Sequence, residues 1–160
     1  MVILPAIGIM LLVVAILSIL GRHTAISNAK EATIPFLSTR ISKEKYLQEC
    51  YDLITHRFRS TSNGFIIYPW RNFFLGNIWD KGKVLPCQIQ SKLLEQCLLQ
   101  KFKKDDIRSI WVAFKHPMIL HNFLEVKVNN KWISVDPWGR RHRIPLGENM
   151  LSIGYAGHSR

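Results

Sequence analysis

Hydrophobic and polar positions fall into distinct regimes along the 160-residue chain. Residues 2–20 form an apolar run without charge, broken only by Pro5, Gly8 and Ser18. At about 1.5 Å per residue a helix of that length spans roughly 28 Å, near the thickness of a bilayer's hydrocarbon core. The run predicts an N-terminal transmembrane anchor over 1–21. No Lys or Arg precedes it, which argues against a cleaved signal peptide. Arg22, Lys30, Arg40, Lys43 and Lys45 all follow it, so the expectation is a single-pass membrane protein with a cytoplasmic soluble domain. Residues 22–41 show no period and read as a juxtamembrane linker. A single domain over 42–160 follows.

Within that domain Ser42 caps a predicted helix over 42–58. Tyr46, Cys50, Leu53 or Ile54, and Phe58 recur at three- and four-residue steps and make one apolar face. Residues 60–64 are a turn cluster. Residues 65–79 hold Tyr68, Trp70, Phe73, Phe74 and Trp79 without a clean period, an irregular segment able to wall a groove. After a turn at 80–83, Pro86 precedes a second helical pattern over 87–102, with Leu93, Leu94, Cys97, Leu98 and Phe102 on one side. Charge at 103–106 breaks it. Three extended segments follow, at 107–114, 120–128 and 131–136. The order predicts an α+β domain.

Composition narrows this picture in two ways. An aromatic content of 11% and only three Cys exclude disordered, collagen-like and disulfide-scaffold classes. The formal net charge of +11 suits attraction to an anionic lipid surface. It also raises nucleic acid as a partner. The dense basic clusters at 101–104 and 140–143 sit in no recognisable nucleic-acid-binding motif, and that partner is not expected.

Candidate chemistry comes from the last hairpin. Asn tolerates positive φ, so Asn129-Asn130 can form a two-residue loop. Val128 then faces Lys131, Val126 faces Ile133, and Leu124 faces Val135. Period-2 alternation puts Leu124, Val126, Val128, Ile133 and Val135 on a core face. His121, Phe123, Glu125, Trp132, Ser134, Asp136 and Trp138 share the other. His121 lies one diagonal step from Asp136, within reach of an imidazole–carboxylate hydrogen bond. Cys87 opens a helix, where the dipole favours thiolate. Nucleophile, base and orienting carboxylate thus follow in the order Cys87, His121, Asp136.

Pro86-Cys87-Gln88, then His121-Asn122-Phe123-Leu124-Glu125-Val126, then Lys131-Trp132-Ile133-Ser134-Val135-Asp136-Pro137 resemble the transglutaminase-like core. That family carries Cys at a helix start, His-aromatic-x-Glu on one strand and Trp-x-x-x-Asp-Pro on the next. The resemblance covers about 77–139. It implies a papain-like fold, with a Cys-bearing helix on an antiparallel sheet, and hydrolysis of a peptide or amide bond, or acyl transfer, through a thioester. Cys87 would be the nucleophile, His121 the base and acid, and Asp136 the group that fixes the imidazole. Glu125 and Trp132 would shape the hairpin. Pro86, Gln88 and Asn122-Phe123 depart from the residues the family commonly has there.

The backbone N–H of Cys87 is one candidate oxyanion donor, with Trp79 and Asn77 as candidates for the second. Trp70, Phe123 and Trp138 are candidate walls of a substrate groove. The expected partner is a peptide or protein substrate. No cofactor is implied, and no Cys-x-x-Cys or His pair at ligand spacing suggests a metal. Cys50 and Cys97 read as core. Two other readings remain open: a non-catalytic binding or assembly module on the same fold, and a peptide-maturation protease of the lasso-peptide-processing type.

Overall fold

A computed structural model describes residues 40–60, 84–114, 119–142 and 144–151, together with isolated positions at 9, 12, 13, 15, 16, 20 and 37. Helix α1 (Lys43–Arg57) begins where the Ser42 side chain accepts a hydrogen bond from the Lys45 amide at 3.3 Å, an ordinary N-cap. Phe58 closes it in extended conformation. A two-residue strand β1 (Arg59–Ser60) pairs in parallel with β2 (Val84–Leu85). Helix α2 (Cys87–Leu98) follows, and a 3₁₀ turn at Lys104–Asp106 leads into the sheet. Strands β3 (Ile107–Phe114), β4 (Ile119–Val128) and β5 (Lys131–Val135) form an antiparallel sheet in the order β3-β4-β5. The domain is α+β.

The β4–β5 register is the one the turn chemistry dictates. Asn129 and Asn130 take φ of 49° and 63°. Val128 pairs with Lys131, Val126 with Ile133 and Leu124 with Val135. Leu124, Val126, Val128 and Val135 are buried and form one core with Tyr46, Cys50 and Ile54 of α1 and Leu93, Leu94, Cys97 and Leu98 of α2. The helices are locked where the Tyr46 hydroxyl donates to the Cys97 carbonyl at 3.1 Å. On the opposite sheet face Arg108 bonds Glu125 at 2.6 Å and lies 4.1 Å from the centre of the Trp132 ring. That ion pair and cation–π contact tie all three strands together.

One expectation is corrected. Among the described residues no helix is long and apolar enough to cross a membrane, so the predicted transmembrane helix, and the single-pass anchoring that rested on it, are not supported. The physical reason is that hydropathy measures only transfer cost. A span also needs about 20 residues of continuous helix. Of the 1–21 run only residues 9, 12, 13, 15, 16 and 20 are described, each helical, and they do not make up a continuous helix of that length. Most of the 1–21 segment, and nearly all of the 22–41 linker, lie outside the described residues, as does the aromatic stretch at 65–79.

Candidate active site

Cys87 is the first residue of α2. Pro86 stands before it with ψ of 157°, and the Pro86 carbonyl accepts the Ile89 and Gln90 amides at 3.1 and 3.2 Å. Proline suits that place, because the missing N–H would have had no helical partner. The thiol side chain is half-buried against a small second cluster of Trp138, Ile144 and Met150, shared with Val112. Val112 pairs directly with His121 across the β3–β4 ladder, so helix start and histidine meet at that pair.

His121 and Asp136 are both 1% exposed, and imidazole Nε2 lies 2.7 Å from Asp136 Oδ2. The ring also hydrogen-bonds the Cys87 thiol. With Nε2 on the carboxylate, Nδ1 is the nitrogen left for sulfur. Burial pulls the imidazole pKa down, but the bonds to Asp136 and Cys87, with the charges behind them, push it up to about 9. Trp138 tilts across the imidazole with centroids 4.9 Å apart, and Phe123 stacks at 6.0 Å. These rings fix the imidazole plane and exclude water from its rear.

Asp136 is held from three directions. Its Oδ1 accepts the Gly139 amide at 3.0 Å, and its Oδ2 accepts the Met150 amide at 3.3 Å in addition to the histidine. A carboxylate is the group these donors require, since all three present hydrogen to it. Gly139 must be small: a Cβ there would meet Ile144 at 3.0 Å and the Asp136 carboxyl carbon at 3.3 Å. The segment returns along β5, with the Gly147 amide on the Ser134 carbonyl at 3.0 Å and Asn149 on the Ser134 hydroxyl at 2.9 Å. Gly147 takes φ of +99°, which only glycine adopts cheaply.

His121 and Asp136 thus meet across the diagonal that the hairpin register places, with Cys87 at the start of α2 beside the imidazole. No protein-family profile matches the chain, and no curated protein matches it. The site therefore stands on its own chemistry.

Of the other candidates, Phe123 and Trp138 are 2% and 3% exposed and pack on His121 instead of walling an open groove. Trp70, Trp79 and Asn77 lie outside the described residues. Cys50 and Cys97 are fully buried. The hydrogen bond from Cys97, together with burial, pushes the Cys50 thiol up and keeps it protonated. Sequence reasoning missed Met150, whose amide contact 14 residues from Asp136 leaves no sequence signature. Gly139 was within its reach, because Asp-Pro-Trp-Gly is a turn composition in which the carboxylate caps a following amide. Tyr51 was missed too; its hydroxyl donates to the Ile144 carbonyl at 3.3 Å and fastens the returning segment to α1.

Proposed function

We propose that the chain is a cysteine hydrolase or acyltransferase of transglutaminase-like type, acting on a peptide or amide bond. The observation that carries this reading is a buried imidazole bonded to Asp136 on one side and to the Cys87 thiol on the other. A structural histidine needs one partner; a base that shuttles a proton between a nucleophile and a leaving group needs this double attachment.

In the proposed cycle the proton of Cys87 passes to His121, and the imidazolium is stabilised by Asp136. The thiolate sulfur attacks the carbonyl carbon of the scissile amide. The oxyanion forms near the α2 start, where the Cys87 backbone N–H is the assigned donor. His121 returns its proton to the amide nitrogen, the C–N bond breaks, and an amine leaves a thioester on Cys87. Water then gives a proton to neutral His121 as its oxygen attacks the thioester carbon. Carboxylic acid is released, and the thiol is restored. An amine entering in place of water gives acyl transfer by the same steps.

The test uses a peptide library with newly formed termini read by mass spectrometry, with and without hydroxylamine. Cleavage that disappears in Cys87→Ala and in His121→Gln, and that hydroxylamine diverts to hydroxamates, supports the reading. Cleavage that persists in Cys87→Ala, or none in the natural protein across the library, refutes it.

A further inference from the structure

Between α2 and the sheet lies a second feature that the triad does not use. A cavity of about 240 Å³ opens between α2 and the β3–β4 strands, lined by Gln88, Lys92, Glu95, Lys104, Trp111 and Asn122 among others. Gln88 directly follows the nucleophile at the start of α2, so the cavity begins one residue along the helix from Cys87.

The cavity presents polar groups suited to a ligand. Asn122 is 3% exposed, and its Nδ2 donates to Ser109 Oγ at 2.7 Å and to the Ile110 carbonyl at 3.0 Å. The carbonyl can only accept, so the amide orientation is fixed with Oδ1 pointing away from both. That oxygen is an accessible acceptor at the cavity wall, able to take an N–H from a ligand. The Gln88 side-chain amide makes no hydrogen bond among the described residues. Across the cavity Glu95 is 5% exposed and bridges two ammonium groups, with Lys92 at 2.5 Å and Lys104 bonded to its other oxygen. Two cations around one carboxylate leave one positive charge. The Lys104 side chain remains 66% exposed, with donors to spare.

A ligand matched to these walls carries a carboxylate for the lysine pair and an N–H for Asn122 Oδ1, and it fits a volume of one residue. We propose that this cavity, which begins at Gln88 next to Cys87 on α2, is a subsite for a carboxylate-bearing residue of the peptide substrate. The carboxylate is either an acidic side chain or a chain terminus. Half-exposed Trp111 stands at its wall as the apolar surface for the residue's stem. The inference rests on the peptide-directed reading of the triad, but binding tests it separately from turnover.

The experiment titrates the full chain carrying Cys87→Ala with three probes, followed by ¹H–¹⁵N chemical shifts. The probes are acetyl-alanyl-glutamate amide, acetyl-alanyl-alanine with a free C-terminus, and acetyl-alanyl-glutamine amide. We expect one or both carboxylate probes to shift Gln88, Trp111 and Asn122 and to bind at least fivefold more tightly than the neutral probe. Whichever of the two binds more tightly identifies the source of the carboxylate. Lys104→Ala and, separately, Gln88→Ala, both at positions open to solvent, weaken that binding at least threefold while leaving the remaining spectrum in place. Equal binding of the neutral probe, shifts elsewhere on the surface, or no saturation by 20 mM would overturn the proposal. Should the cavity bind while no thiol-dependent cleavage is ever found, the functional reading alone falls. Cleavage without cavity binding removes only the subsite.

Discussion

Replacing Asp136 by Asn tests the electrostatics of the site in a single atom. The substitution keeps shape but removes the charge that sits 2.7 Å from Nε2, and the amide must present NH₂ to at least one of the three groups now donating to the carboxylate. In the natural protein the imidazole is raised from 6.5 to about 9 against the downward pull of burial, with the Asp136 bond the largest of the upward causes. At about 1.36 kcal/mol per pKa unit that difference is worth about 3 kcal/mol of preference for imidazolium. Because the folded pKa lies above the unfolded one, this stabilisation is complete below about pH 6.5 and drains away as pH rises through about 9. Without the carboxylate charge the largest upward cause is gone while burial still pulls down, so the ring titrates well below about 9. The assay is NMR of ¹⁵N-histidine side chains from pH 4 to 10.5, paired with urea unfolding at pH 6 and pH 9.5. The natural protein loses about 3 kcal/mol between those two pH values, and Asp136→Asn loses far less. A His121 that titrates near 6.5 in the natural protein, or one unmoved by Asp136→Asn, refutes the reasoning.

Three further substitutions probe the supports. Gly139→Ala forces a Cβ against Ile144 and Asp136. Urea unfolding should show a loss of about 1–3 kcal/mol, and the His121 titration should shift with the displaced carboxylate. Asn130→Val places a β-branched residue at φ of 63°. It should cost about 1–2 kcal/mol, whereas Asn130→Gly should be neutral or better in the same measurement. Tyr46→Phe removes the hydroxyl bridge from α1 to the Cys97 carbonyl. It should cost about 1 kcal/mol without changing the denaturant slope.

Periodicity made much of this domain legible before any coordinates. The Ser42 cap, the apolar face of Tyr46, Cys50 and Ile54, and the Asn129-Asn130 turn are local signals, and each element forms where its local signal points. The diagonal that joins His121 to Asp136 follows from register alone, so it was legible too. What escaped was set by distant chain. Alternation assigns Phe123 and Trp138 to the non-core face, but the segment from Gly139 to Leu151 folds back and brings Ile144 and Met150 onto Trp138. That converts a solvent-facing expectation into a buried clamp on the imidazole. The parallel pairing of Arg59–Ser60 with Val84–Leu85 is two residues long, too short to carry a pattern. The apolar run at the N-terminus carries a strong local signal, but among the described residues no helix is long and apolar enough to cross a membrane.

The central claim is that His121 and Cys87 act as one unit. The most direct measurement is the rate of Cys87 carboxamidomethylation by iodoacetamide at pH 7, resolved site by site by mass spectrometry, in the natural protein and in His121→Gln. A neighbouring imidazolium speeds thiol attack. Cys87 should therefore react at least tenfold faster in the natural protein, while buried Cys50 and Cys97 stay unlabelled in both. Equal Cys87 rates in the two proteins would contradict the account.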